Sequence, residues 1–255
     1  MKQILLSLVI LVGGLAGAAG AASPESFYRT LDQYDRLLAN YAAPEGVRYD
    51  AWRDHAEDRA ALDLVVQRLE AVDPSSLNEA DRYALYINLY NASTLRLVIE
   101  GNPKQSIRDL SKMTLGFGVF HAKRVLFDGE KISLDTLEDR LRAESQDPRV
   151  HFAVNCASYS CPALLEESFR GDRLEEQLEQ QSFAFLERDD ALAVDGKRVQ
   201  LSKIFDWYAD DFGGADGVLQ FVQRYAPKMY ADSLADLSKL RVKHFDYDWD
   251  LNRVE

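Results

Sequence analysis

The chain has 255 residues, with 30 Lys and Arg against 42 Asp and Glu, for a net charge of -12. So acidic a balance carries no basic footprint for nucleic acid and is repelled by an anionic membrane surface. Two cysteines exclude a disulfide-dense scaffold and a four-cysteine zinc site, and the ordinary globular composition excludes a disordered chain.

In chain order, residues 1–22 read as a secretory signal peptide. Lys2 precedes an apolar run from Ile4 to Leu15, and Ala19-Gly20-Ala21 fits a small-residue cleavage site. The expectation is a periplasmic or secreted protein with one domain over residues 23–255 and no membrane span after cleavage. The most apolar later stretch, Tyr83 to Ile99, carries Asn88, Asn91, Ser93, Thr94 and Arg96 and reads as a buried helix.

Ser23 caps a first helix with Pro24 at its first position, and Phe27, Leu31, Tyr34, Leu37, Leu38 and Tyr41 recur at helical spacing. Pro44-Glu45-Gly46 ends it. A second helix is expected from about Ala51 to Val72, and a third from the N-cap Asn78 to about Glu100, stopped by Gly101-Asn102-Pro103. Ser106 to Leu110 forms a helical turn. Gly116 to Phe127 reads as a strand that returns through Asp128-Gly129 into Lys131-Ile132. Ser133 caps a helix ending near Ala143, and Val150 to Asn155 reads as a buried strand. A helix over Asp172–Arg188, a hairpin over Leu192–Leu201 and a helix over Lys203–Phe212 follow. Helices at 216–226 and 228–237 and an extended Arg241–Tyr247 complete the chain. With no βαβ rhythm, P-loop or G-x-G-x-x-G, the fold class is α+β: one helix-rich domain with a small, mainly antiparallel sheet.

Both cysteines lie in His151-Phe152-Ala153-Val154-Asn155-Cys156-Ala157-Ser158-Tyr159-Ser160-Cys161-Pro162. With this stretch, the chain resembles the DUF547 domain family. Ile87-Asn88-Leu89-Tyr90-Asn91-Ala92, Ser106-Ile107-Arg108, Ile132-Ser133-Leu134, Leu201-Ser202-Lys203-Ile204-Phe205 with Trp207-Tyr208 and Asp211-Phe212, and Tyr247-Asp248-Trp249 with Leu251-Asn252 match its pattern in order. The resemblance spans roughly Tyr49 to Asn252 and implies a domain whose chemistry is not settled. One departure stands out: the family pattern carries Glu-His where this chain has Glu138-Asp139. An aspartate cannot serve as a neutral imidazole base near pH 7.

From the residues themselves, Cys156 follows an expected buried strand and opens a turn or helix, where backbone N–H groups lower a thiol's pKa. Such a nucleophile needs a base. His151 is nearest, but an offset of five along a strand points the two side chains to opposite faces unless the chain turns sharply after about Ala153. His121, on the expected 116–127 strand, is the alternative. Asn88 and Asn91 share a helix face and either orient a catalytic group and an oxyanion or tie down a loop, such as the 156–161 segment.

Glu138, Asp139 and their neighbours show no ligand spacing. Asp246, Asp248 and Asp250 alternate on one face but lack the glycine and closing glutamate of a calcium loop. No metal or cofactor is expected. Trp207, Tyr208 and Phe212 fit a buried helix face.

The functional reading is a cysteine-dependent hydrolase or acyl transferase. Cys156 is the nucleophile, His151 or His121 the base, and Asn155 an orienting group; Asn88, Asn91, Ser158 and Glu138 surround the substrate. The alternatives are a binding or assembly module built on a structural Cys156–Cys161 disulfide, which export favours, and a thiol–disulfide carrier. The partner is a small molecule, a peptide or a protein.

Overall fold

The structure is a computed structural model and describes residues 24–111 and 118–255. The leader over 1–22, the Ser23 cap and the first two residues of the expected 116–127 strand lie outside the described residues.

Helix α1 (Pro24–Tyr41) buries Phe27, Leu31, Tyr34, Leu37, Leu38 and Tyr41 on one face. A hairpin of β1 (Ala42–Ala43) and β2 (Gly46–Val47) turns the chain. The expected second helix is two helices, α2 (Tyr49–Asp54) and α3 (Ala56–Glu70). His55 adopts an extended backbone between them, and its Nδ1 accepts the Asp58 N–H at 3.4 Å, so it ends one helix and caps the next.

Helix α4 (Glu79–Gly101) starts on Asn78, whose side chain accepts the Asp81 N–H at 2.9 Å, and it is buried nearly all round. A 3₁₀ turn over Ile107–Leu110 follows, closed by a reciprocal Ser106–Asp109 capping box.

Where a strand was expected over 116–127, residues Gly118–His121 form helix α5, and the strand β3 is confined to Val125–Phe127. It pairs with β4 (Glu130–Ile132) through Asp128 and Gly129, both at positive φ. Helix α6 (Leu134–Ser145) begins on Ser133, whose hydroxyl accepts the Thr136 N–H at 3.1 Å.

The second correction is at 150–155, which is not a strand. Residues Pro148–Phe152 form a 3₁₀ helix, because the Asp147 carboxylate accepts the Arg149 N–H at 2.9 Å and Pro148 is preset for a helical first position. A short apolar run looks alike in either state.

Helix α7 (Leu174–Leu186) leads to β5 (Leu192–Asp195) and β6 (Arg198–Leu201), then α8 (Ile204–Trp207), a 3₁₀ turn at Ala209–Phe212 and α9 (Gly214–Tyr225). The expected 228–237 helix is replaced by two 3₁₀ turns, Lys228–Tyr230 and Leu237–Lys239. Strand β7 (Arg241–His244) joins β6 in parallel. The domain is α+β and helix-rich; among the described residues the strands are distributed over three small sheets, in which the β6–β7 pair alone is parallel. No helix among the described residues is long and apolar enough to cross a membrane.

Apolar burial falls into two clusters. The larger joins α1 to α4 and α6, and the smaller gathers Phe152, Phe185, Phe205, Phe212 and Val222 from the second half of the chain. Residues after β7 run back across the first half as a strap. Asn252 donates its N–H to the Ala157 carbonyl at 3.2 Å, and its own carbonyl accepts the Val47 N–H at 2.7 Å. Gly46 lies under this strap with φ of 152°, and a Cβ there would stand 2.2 Å from the Asn252 carbonyl oxygen. Gly46→Ala should therefore lower stability by about 1–3 kcal/mol, as overpacking does. Urea unfolding checks this, and an unchanged midpoint would show that the strap tolerates displacement.

Candidate functional site

The site is built from α4 outward. Asn88 and Asn91 are buried polar side chains on a buried helix, so each must find partners inside the protein. Asn88 donates to the Phe169 carbonyl at 2.7 Å and accepts the Phe169 N–H at 2.9 Å. Asn91 does the same one loop away, donating to the Ala153 carbonyl at 2.9 Å and accepting the Asn155 N–H at 2.8 Å. Asn155 continues the latch inside the loop: its amide donates to the Pro162 carbonyl at 2.7 Å and accepts the Ala157 N–H at 2.9 Å. Ala157 is left at φ of 65°, a conformation that costs an alanine about 1 kcal/mol. From outside, Arg188 grips the same loop, donating to the carbonyls of Tyr159 and Cys161, each at 2.7 Å.

The loop presents Cys156 to a cleft of about 310 Å³ between the two apolar clusters, with Tyr90, Glu138, His151, Trp207, Tyr208 and Tyr247 around it. Cys156 Sγ is 2.8 Å from the Ser158 hydroxyl and 3.3 Å from the Tyr247 hydroxyl, which are 3.0 Å from each other. Its backbone N–H donates to Cys161 Sγ at 2.9 Å. Burial pushes the Cys156 thiol up, but hydrogen bonding with Cys161, Ser158 and Tyr247 outweighs it and brings the thiol down to about 6. Cys161 moves the other way, raised first by burial and then by its hydrogen bond with Cys156 and the charge there, and its thiol lies 3.7 Å from the Val154 carbonyl. The thiolate belongs to Cys156, and Cys161 keeps its proton.

Across the cleft, burial raises Glu138 to about 7, opposed by the Tyr208 hydroxyl, which donates to Oε1 at 2.8 Å, and reinforced by the charge of Cys156. Behind Tyr208 lies His151, stacked on its ring at 4.0 Å between centroids. His151 Nε2 is 2.7 Å from Asp211 Oδ2, and Arg142 holds the same carboxylate through Nε at 2.7 Å. The hydrogen bonds from Arg142 keep the Asp211 carboxyl below its usual range. Burial holds the imidazole neutral, with its pKa down at about 4 despite Asp211. A carboxylate only accepts, so Nε2 carries the proton and Nδ1 the lone pair.

The expected site residues are placed as follows. Cys156, Cys161, Glu138 and His151 line the cleft. The chain does turn at Ala153, where the 3₁₀ helix ends, but the His151 ring is spent on Asp211 and does not serve Cys156. His121 is exposed at the end of α5 and pairs with Asp135, itself part of the cleft lining. Asn88, Asn91 and Asn155 hold backbone groups behind the loop. Ser158 is wholly buried and meets the thiol.

The expected Cys156–Cys161 disulfide is not shown: the two residues are near each other as free cysteines, and the N–H to sulfur bond and the Asn155 and Arg188 contacts close the short loop. No helix starts at Cys156 either, so side-chain donors lower its pKa in place of a helix N-terminus. Trp207 is not core; it remains 45% exposed on the cleft wall. Tyr208, Asp211, Tyr247 and Trp249 carry the site without having been singled out for it. The signal was their recurrence in the motifs around 207–212 and 247–252, far from the cysteines in sequence. Among the described residues, no group of three or more His, Cys, Asp or Glu is placed to hold a metal ion.

A family model described as a protein of unknown function, DUF547, matches residues 74–186. The chain resembles that family over a stretch that holds Asn88, Asn91, Glu138, His151 and both cysteines and stops before Trp207, Asp211 and Tyr247. No curated protein and no solved structure matches the chain.

Two measurements follow from the electrostatics. Alkylation by iodoacetamide should reach half its maximal rate near pH 6 at Cys156, since only the thiolate reacts. Tyr247→Phe, which removes one donor, should move that midpoint upward; a wild-type midpoint above pH 8 would contradict the donor arrangement. The second measurement is of stability. As pH falls from 6.5 to about 4, the unfolded chain protonates at His151 before the folded one does, so this residue lowers stability. Glu138 acts oppositely: from about 7 down to 4.5 the folded state takes up the proton first, and stability rises. Glu138→Gln should unmask the histidine, giving a fall of up to about 3 kcal/mol across that window in stepped-pH denaturation, steeper than in the wild type.

Proposed function

We propose that this chain is a cysteine-dependent acyl-transfer enzyme, a hydrolase or transferase, in which Cys156 attacks and Glu138 moves the proton. The observation that carries the reading is one thiol, ringed by side-chain donors, facing a cleft that also holds a carboxyl poised near neutrality. The apolar run and small-residue site at the N-terminus support an exported, periplasmic or secreted setting.

In the reaction, the Cys156 thiolate attacks a carbonyl carbon and the carbon–sulfur bond forms. Negative charge moves from sulfur to the carbonyl oxygen, with the hydroxyls of Ser158 and Tyr247 the donors at hand. The oxyanion then collapses to a thioester, the bond from carbon to the leaving group breaks, and protonated Glu138 gives its proton to that group. The carboxylate so formed takes a proton from the acceptor, water or another nucleophile, which attacks the thioester and releases the thiolate. His151 and Asp211 act at one remove: the stacked imidazole holds the Tyr208 ring, and the Tyr208 hydroxyl aims Glu138. The aspartate at position 139 does not enter this scheme. Its side chain is 70% exposed and pairs with Arg142, outside the cleft lining.

A second reading, thiol–disulfide exchange, draws on the pairing of a lowered Cys156 with a raised, buried Cys161. It requires both sulfurs, whereas acyl transfer requires one. With p-nitrophenyl acetate, the wild type should release a stoichiometric burst of nitrophenol and gain one acetyl group on Cys156. Cys156→Ala should abolish the burst, Cys161→Ser should keep it, and Glu138→Gln should slow the steady phase by 10²-fold or more. A burst that survives Cys156→Ala would falsify the acyl-transfer reading.

A further inference from the structure

The proposed mechanism uses the Tyr247 hydroxyl but gives no task to the two tryptophans beside it on the cleft's aromatic wall. Trp207, Tyr247 and Trp249 pack against one another at tilted angles along one side, with ring centroids 4.6 to 5.9 Å apart. Trp207 is half exposed, and a solvent-facing tryptophan over a catalytic cleft is a recognition surface more than a core element. The π face of Trp249 already attracts a cation, with the Arg108 guanidinium 5.0 Å from its centroid. The other walls add carboxyl groups at Asp135 and Glu138, and among the described residues none that lines the cleft is a lysine or arginine.

An anionic group entering here meets the carboxyls of Asp135 and Glu138 and the Cys156 thiolate, while the nearby cations are already engaged: His121 with Asp135, Arg142 with Asp211 and Arg108 with the Trp249 ring. A neutral sugar could stack on tryptophan, but the three rings are tilted 31° to 51° from one another and offer no common plane. A primary ammonium on an aliphatic stem satisfies both walls at once. Its charge meets the carboxyls, and its methylenes and charge lie on the rings.

We infer that the cleft is an amine site, taking a primary aliphatic amine of lysine or polyamine type as acyl acceptor between the Trp207–Trp249 wall and Glu138. The acceptor role rests on the acyl-transfer reading. In that step the Glu138 carboxylate takes one proton from the ammonium, and the free amine attacks the thioester carbonyl. The carbon–nitrogen bond forms, the carbon–sulfur bond breaks, and the second proton of the attacking nitrogen passes to the departing Cys156 sulfur. The products are an amide, a thiol and a protonated Glu138, so charge and protons balance.

The test uses three linear five-carbon probes that differ only at their ends: cadaverine, 1,5-pentanediol and glutarate. Binding to the whole protein at pH 8 is read by tryptophan fluorescence. Cadaverine should bind at least tenfold more tightly than the diol, and glutarate should not bind. Trp207→Ala and Glu138→Gln should each weaken cadaverine several-fold, with Trp207→Phe recovering part of the loss. Equal binding of cadaverine and the diol overturns the amine site, whatever the enzyme does with esters. Protein acetylated by p-nitrophenyl acetate is then given cadaverine, and N-acetylcadaverine is quantified against acetate by mass spectrometry. Amide in excess of acetate supports the acceptor role. Acetylation followed by hydrolysis alone overturns that role and leaves the hydrolase standing. Tight cadaverine binding with no acetylation removes the thioester chemistry and leaves the amine site standing.

Discussion

A helix buried on every side has no solvent in which to hide a polar side chain, and the whole site depends on how α4 meets that constraint. Its two asparagine amides must bond inside the protein, and each does so to a pair of backbone groups on a neighbouring loop. The Asn91 pair fixes the chain at Ala153 and Asn155, and everything downstream inherits that position. The turn at Ala157, the reach of Cys156 into the cleft and the seat of Cys161 against the Cys156 N–H all follow. A serine or alanine at 91 could not span both groups, and two buried backbone partners would be left unpaired, at a cost of a few kcal/mol.

The chemistry of the site comes from unequal environments for similar groups. Two thiols five residues apart part ways because hydrogen bonds to the Cys156 sulfur outweigh its burial, whereas burial and the neighbouring Cys156 both push Cys161 up. Two carboxyls diverge in the same manner. Asp211 is held ionised by Arg142, and Glu138, away from any such close partner, rises toward neutrality. The positive φ of Ala157, beside the nucleophile, is the local irregularity that the surrounding hydrogen bonds enforce. A domain that otherwise follows ordinary capping and packing rules breaks them where its reactive atom is presented.

Much of the scaffold was legible in the chain. Helices with a clear 3.6-residue stripe and a capping residue came out within a few positions, as at Pro24–Tyr41, Glu79–Gly101 and Leu134–Ser145. The hairpins at Asp128-Gly129 and Asp195-Gly196 followed from turn chemistry alone. The misreadings fall where the signal was only apolar run length. Val150 to Asn155 is buried throughout, and Val119 and Phe120 are buried ahead of Val125; apolar burial without period does not choose between strand and helical turn. His55 split a helix because a side chain competed for the backbone, a choice that periodicity does not register.

For the site, the sequence by itself determined which residues were chemically able to act: one motif with two cysteines, a histidine within it, a glutamate on the next helix back, and asparagines on a buried face. It also marked the motifs at 207–212 and 247–252 as belonging to the same domain. Which of these groups meet was decided only by the tertiary structure. Folding turned His151 toward Asp211, laid Tyr247 across the thiol and raised Glu138 by burial. The reason is physical. Reactivity here depends on distances of about 3 Å and on local desolvation, and both are set by packing between segments far apart in the chain, such as Cys156 and Tyr247, 91 residues apart. Composition and spacing carry no record of that packing.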